Sequence, residues 1–272
     1  MRAGVFGKPT QKTEAAIAEG LRALGFAVEF QRPGVWTADQ ARPFDVVVVR
    51  GCKRDGDGAR VGSRSIADFY SQRGATVLIH DLPAIRIDGY FALWNGAVNA
   101  LPETADESRL GMVNLRERHA LGNRILVCGQ VPNDAAHGMT RRDLEVYFGA
   151  LVISLRERFP ECDVVWRPHP YHEVEYYWAE LQDPLEVPWG DALSDPELFA
   201  VATYNSTCGV AALAAGVPVL CDPSAFYAHL AGHPRPAGRR AFFARLTHTQ
   251  WTLEEFRTPA PYLHNLAARI AA

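Results

Sequence analysis

The chain has no apolar run long enough to cross a bilayer; Leu213–Cys221 is apolar but short, and reads as a helix end followed by a strand. Its opening, MRAGVFGKPTQKTEAAIAEG, lacks the apolar core of a secretion signal. The five cysteines, Cys52, Cys128, Cys162, Cys208 and Cys221, show no paired CxxC spacing and are too sparse for a disulfide scaffold. Reduced, mostly buried thiols in a cytoplasmic protein are therefore expected. Charge of one sign is also missing. With 28 Lys plus Arg against 31 Asp plus Glu, the net charge of -3 offers polyanions no global attraction. A local basic cleft stays compatible with that total, because the field in a groove follows nearby charges. Neither a P-loop nor a GxGxxG fingerprint occurs, and the nine histidines form no ligand frame, so no motif requires a metal.

What is present is the composition and rhythm of a folded α/β chain. Over 272 residues, 48% are hydrophobic and 22% charged, enough for one large core or two modest ones. Ala3–Gly7 reads as a strand, Thr13–Leu24 as a helix with Ala16, Ile17, Leu21 and Leu24 on one face, and Phe26–Phe30 as a strand. Phe44–Val49 is β-branched almost throughout, as in a parallel strand covered on both faces. A helix at Ser63–Ser71 and a strand at Ala75–His80 complete one alternating half. After the charged stretch Leu110–Gly122 the alternation restarts. Strands are expected at Arg124–Gly129, Cys162–Pro170, Leu198–Tyr204 and Val217–Cys221, with helices from Thr140 to about Arg158 and from Cys208 to Ala215. Gly216 suits a helix C-terminal cap. The expected division is 1–115 as one α/β domain, 116–258 as a second, and a last helix at 259–272 packing back on the first. A single doubly wound domain fits the same alternation.

Polar clusters that follow strands are the candidate sites, since open α/β sheets bind ligands beyond their strand carboxyl ends. In GQVPND, Gln130 can donate and accept hydrogen bonds and Asp134 can accept a proton, although an Asx turn explains the same residues. In WRPHP, Arg167 and His169 suit phosphate oxygens, and the flanking prolines restrict the loop. His172 and Glu173 beyond it are a weak metal signal. In YNSTCGVAALAAG, Asn205, Ser206 and Thr207 can cap a helix whose free N–H groups bind phosphate, and Gly209 permits close approach of a ligand or of neighbouring backbone. The first half offers Lys8 in GKPTQK, the mixed-charge loop Arg50–Arg60, and two carboxylates, Asp81 and Asp88, either of which could activate a hydroxyl.

GQVPND, RPHP and NSTCGVAALAAGVPVLCDPSAFY, taken in that order across residues 124–227, resemble the capsule polysaccharide biosynthesis family, which includes bacterial β-Kdo transferases. The resemblance implies two Rossmann-like domains facing a cleft, the glycosyltransferase-B architecture, with 1–115 the acceptor-side domain and 116–258 the nucleotide-sugar-binding domain. It implies transfer of a sugar from a nucleotide-activated donor, CMP- or UDP-linked, to a hydroxyl of a glycan, with a modified nucleic-acid base as another acceptor. Gln130 and Asp134 match the family's Gln-x3-Asp arrangement at the reacting centre, with Asp88 in reserve as base. Arg167, His169, Asn205, Ser206, Thr207 and Gly209 match the donor-binding side, and Tyr227 matches an aromatic residue after the last strand. One departure stands out: Ala211 occupies the position where the family carries a glutamate. That leaves open an epimerase, a hydrolase or a noncatalytic nucleotide-sugar-binding protein.

Overall fold

The computed structural model describes residues 1–51, 62–117, 122–134, 136–167, 169, 189–232 and 236–270. Most of the Arg50–Arg60 loop, the two prolines beside His169, and His172 and Glu173 lie outside the described residues. The chain forms two compact units, Met1–Arg109 with Ala244–Ala272, and Leu110–Phe243. Each is a Rossmann-like α/β domain, a sheet flanked by helices.

The first unit contains β1 (Arg2–Phe6), α1 (Lys12–Ala23), β2 (Ala27–Gln31), β3 (Val46–Arg50), α2 (Ser63–Ser71), β4 (Thr76–Asp81) and β5 (Tyr90–Asn95). The chain returns to it late, through β10 (Gln250–Thr252), α7 (Leu253–Phe256) and α8 (Ala260–Ile270). The strand order is β10-β5-β4-β3-β1-β2. Val46 to Val49 are fully buried, which is what a strand covered on both faces requires. β1 to β4 run parallel, while β5 pairs antiparallel with β4 and β10 antiparallel with β5.

The returning segment is held by specific contacts. Arg109 donates to the Gln250 carbonyl at 2.7 Å and to Glu255 Oε1 at 2.6 Å, and its guanidinium lies 4.1 Å from the Trp251 ring centroid. Thr252 and Glu255 form a reciprocal capping box at the start of α7. Gly20 on α1 has no room for a side chain: a Cβ there would meet the Phe256 carbonyl at 2.1 Å and the Tyr262 ring at 2.5 Å. The Tyr262 hydroxyl in turn donates to the Phe256 carbonyl at 2.7 Å.

The second unit contains β6 (Arg124–Cys128), α3 (Arg141–Arg158), β7 (Asp163–Arg167), α4 (Trp189–Ser194), β8 (Leu198–Thr203), α5 (Thr207–Ala214), β9 (Val219–Cys221) and most of α6 (Pro236–Thr247). Its four strands are parallel in the order β7-β6-β8-β9. α3 starts where Thr140 accepts from the Asp143 N–H, with Asp143 reaching back to Thr140, and buries Leu144, Phe148, Val152 and Leu155 against the sheet. Gly216 takes φ +75° after α5. Buried Arg239 donates to the Leu213 carbonyl at 3.0 Å and to Glu117 at 2.6 Å, which satisfies an orphan carbonyl at the end of α5. Among the described cysteines, none of which is in a disulfide, Cys128 is buried and Cys162, Cys208 and Cys221 are partly buried. No helix of the described residues is long and apolar enough to cross a membrane.

One buried polar pair sets a pH dependence for the first unit. His80 on β4 and Glu14 on α1 are almost fully covered, with Nε2 and Oε1 3.6 Å apart. Burial, reinforced by the Arg50 charge, lowers the His80 pKa from 6.5 to about 3. The unfolded chain then binds the extra proton and the folded one does not, so this contribution is complete above pH 6.5 and is lost as pH falls toward the folded value. Stability should drop by about 1.4 kcal/mol per pH unit, hence about 2 kcal/mol between pH 6.5 and 5. Urea unfolding of wild type and His80→Asn across that window checks this: the variant's slope should be flatter, and equal slopes would contradict it.

Candidate active site

The second sheet changes winding direction between β6 and β8, because β7 lies to one side of β6 and β8 and β9 to the other. A crevice opens at such a switch point, beyond the carboxyl ends of the two strands. The residues that follow β6 are Gly129 and Gln130; those that follow β8 are Tyr204, Asn205 and Ser206.

One side chain joins the two strand ends. Buried Gln130 donates from Nε2 to Asn205 Oδ1 at 2.6 Å and accepts the Asn205 backbone N–H on Oε1 at 3.0 Å. Asn205 passes the connection on, donating from Nδ2 to the Ala136 carbonyl at 3.2 Å. The loop after β6 is thereby fastened to the start of α5. With both ends of its amide engaged, Gln130 is placed to position its neighbours rather than to exchange a proton.

The start of α5 has one capped and one unpaired backbone N–H among the described residues. Ser206 is the N-cap, and its Oγ accepts the Cys208 N–H at 3.2 Å. The Thr207 N–H has no acceptor among the described residues, so the first turn keeps a donor for a ligand oxygen. Gly209 makes room for Tyr227: a Cβ at 209 would lie 2.5 Å from the phenol ring, and the Tyr227 hydroxyl donates to the Ser206 carbonyl at 2.6 Å. Tyr227 is fully buried, and burial pushes its pKa far up, so it supports the helix start from beneath as a neutral phenol.

Gly129 serves a similar close approach on the β7 side. Its missing Cβ would sit 2.6 Å from the Trp166 ring and 3.5 Å from the His169 backbone nitrogen, which brings the loop after β7 against the loop after β6. Arg167 closes β7 with its guanidinium 5.3 Å from the Trp189 ring centroid. Its Nε is buried and makes no hydrogen bond among the described residues, an unsatisfied cationic donor at the strand end. His169 is half-buried and has partners of its own.

Asp134 is exposed on a turn, with Oδ1 accepting the Ala136 N–H at 2.8 Å. His137, which the sequence reading did not single out, sits edge-on to Tyr204 with ring centroids 5.7 Å apart and accepts the Met139 N–H on Nδ1. Burial lowers its pKa while the Asp134 carboxylate opposes the shift. Its place three residues beyond Asp134 was the available signal. The neighbouring Cys208 thiol and burial raise the Cys128 pKa, so the thiol stays protonated. Asp88 belongs to the first unit, exposed on the loop before β5. Among the described residues no group of three His, Cys, Asp or Glu is placed to hold a metal.

No protein-family model matches the chain. Nor does any curated protein match it. Two solved structures are similar over 90% of this chain and 90% of their own. Thermosulfurimonas dismutans KpsC, beta Kdo 2,7 transferase, has a TM-score of 0.54 at 15% identity. Thermosulfurimonas dismutans KpsC, beta Kdo 2,4 transferase, has a TM-score of 0.55 at 14% identity.

Gln130→Ala should destabilise the second unit by about 1–3 kcal/mol, because it strands the buried Asn205 N–H. Calorimetric melting measures it; an unchanged melting profile would mean that the Gln130–Asn205 pair does not carry the switch point. At this level of identity the likeness to the two Kdo transferases is one of fold, and the chain has a fold of glycosyltransferase-B type.

Proposed function

We propose that the chain is a glycosyltransferase that moves a sugar from a nucleotide-activated donor to a hydroxyl acceptor. The observation that carries this reading is a set of polar groups at the carboxyl ends of the second sheet's strands, of the kind that suits an anion. The Thr207 N–H, without an acceptor among the described residues, and the Ser206-capped α5 start follow β8, while Arg167 ends β7 with His169 two residues beyond. Such a set stabilises charge that develops on a leaving phosphate. The similar solved structures support the reading, since both are beta Kdo transferases. In this account Gln130 and Asn205 hold the helix start, Tyr227 and Gly209 support it, and Asp134 accepts the acceptor proton or orients the sugar. Asp88 is the reserve base. The donor is CMP- or UDP-linked and the acceptor a glycan hydroxyl; a modified nucleic-acid base offers the same chemistry.

Purified protein incubated with CMP- and UDP-sugars, with and without tagged oligosaccharides, should release nucleotide from one donor class and extend an acceptor. Arg167→Gln should lower that release about 10²–10³-fold, the usual loss when one preorganised charge-stabilising donor is removed. Asp134→Asn should cost about 10²–10⁴-fold if Asp134 is the base. Mass-resolved chromatography of nucleotide, intact donor and extended acceptor reads all three. Donor left intact across the panel would overturn the assignment, and release without acceptor extension would favour a hydrolase.

A further inference from the structure

α3 is apolar on two opposite faces. Leu144, Phe148, Val152 and Leu155 are buried against the second sheet. On the other side Val146 and Ile153 stand in solvent at 60% and 59% exposure, with exposed Ala150 between them. A surface helix ordinarily turns a polar face outward, so the second apolar stripe calls for a partner of its own.

Charges bracket that stripe. Arg142 lies at one end and Glu157 at the other, both exposed. At about 100° per residue, Arg142, Val146, Ala150, Ile153 and Glu157 fall within about 80° of one another around the helix. The other charges of α3 near the stripe are already engaged. Arg141 pairs with Glu145 at 3.1 Å, Asp143 closes the capping box, Arg158 lies over the Phe159 ring, and Arg156 has a partner. Arg142 and Glu157 have no hydrogen bond or ion pair among the described residues. The helix alone does not favour them where they stand, because a cation in the first turn and an anion in the last both oppose its dipole.

The pattern matches itself when reversed. A midpoint between Gly149 and Ala150 relates Val146 to Ile153 and Arg142 to Glu157. Two copies of α3 laid antiparallel about a two-fold axis at that midpoint set each Val146 against the other copy's Ile153, and each Arg142 against the other copy's Glu157. The small residues at the midpoint let the two backbones approach. A parallel pair would instead set arginine against arginine and glutamate against glutamate, which like-charge repulsion disfavours.

We infer that the outer face of α3 is a self-association surface, on which a second copy of this chain docks antiparallel through Val146 and Ile153, with Arg142 and Glu157 pairing across the two-fold axis. The helix has 18 residues and is about 27 Å long, so the contact is at the small end of protein interfaces. The dimer is accordingly weak, with a Kd on the order of 10–100 µM. The surface belongs to the second unit alone and is independent of the glycosyl-transfer reading.

Sedimentation velocity of the full chain from about 2 to about 300 µM tests this. The average mass should rise from 30.0 kDa toward twice that value. Ile153→Glu should hold it at the monomer mass throughout, with unchanged far-UV circular dichroism and melting temperature showing that the fold is kept. Arg142→Glu and Glu157→Arg should each raise Kd at least about tenfold, because either change brings like charges together at both ends of the contact. The double variant R142E/E157R should return to within about threefold of wild type, since it rebuilds both pairs with their signs exchanged. A wild-type protein that stays monomeric to the top of the range would overturn the proposal. So would a dimer that Ile153→Glu leaves intact, since another face would then hold the copies together. Failure of the double variant to regain association would overturn the antiparallel pairing.

Discussion

Where β6 and β8 end side by side, each strand leaves the second sheet with backbone groups that the ladder no longer pairs. Gln130 meets that constraint with one side chain, accepting the Asn205 N–H and donating to its amide oxygen. The other contacts of the candidate site follow from this. Asn205 held in place fixes Ser206 as the N-cap, and the N-cap fixes where the first turn of α5 directs its N–H groups. Tyr227 fills the space beneath Gly209 and bonds to the Ser206 carbonyl, so the helix start is fastened from below as well. A rigid helix start is the useful kind, because preorganised donors need no rearrangement when charge develops on a ligand.

The elements that could be read from the sequence were those whose cause is local. Val46–Val49 announced a covered parallel strand, Ser63–Ser71 a helix, Thr140 a helix start and Gly216 a helix end; the structure has each of them. β5 and β10 were not recognised. Tyr90–Asn95 drew attention only through the nearby Asp88, and Gln250–Thr252 is three residues long. Both are defined by antiparallel pairing with distant segments, which no local pattern encodes.

For the candidate site the same division holds at the level of single residues. Residue type and position after a strand were enough to pick out Gln130, Asn205, Ser206 and Arg167 as chemically capable. Their partners were not visible, since Gln130 and Asn205 are 75 residues apart. Gly209 was read as leaving space for a ligand or for neighbouring backbone, and a tyrosine ring takes that space. Outside the site, the buried pair Glu14 and His80 carried no signal at all. One lies in the first turn of a helix and the other in a strand, and only the sheet order brings them together.

The account stands or falls on whether a nucleotide binds at the β6–β8 switch point. Hydrogen–deuterium exchange of the intact protein, with and without saturating CMP or UDP, measures this directly. It should show slowed exchange at Gly129–Asp134 and Tyr204–Val210, the two segments joined by Gln130 and Asn205. Slowed exchange confined to other segments, or none with either nucleotide, would contradict it.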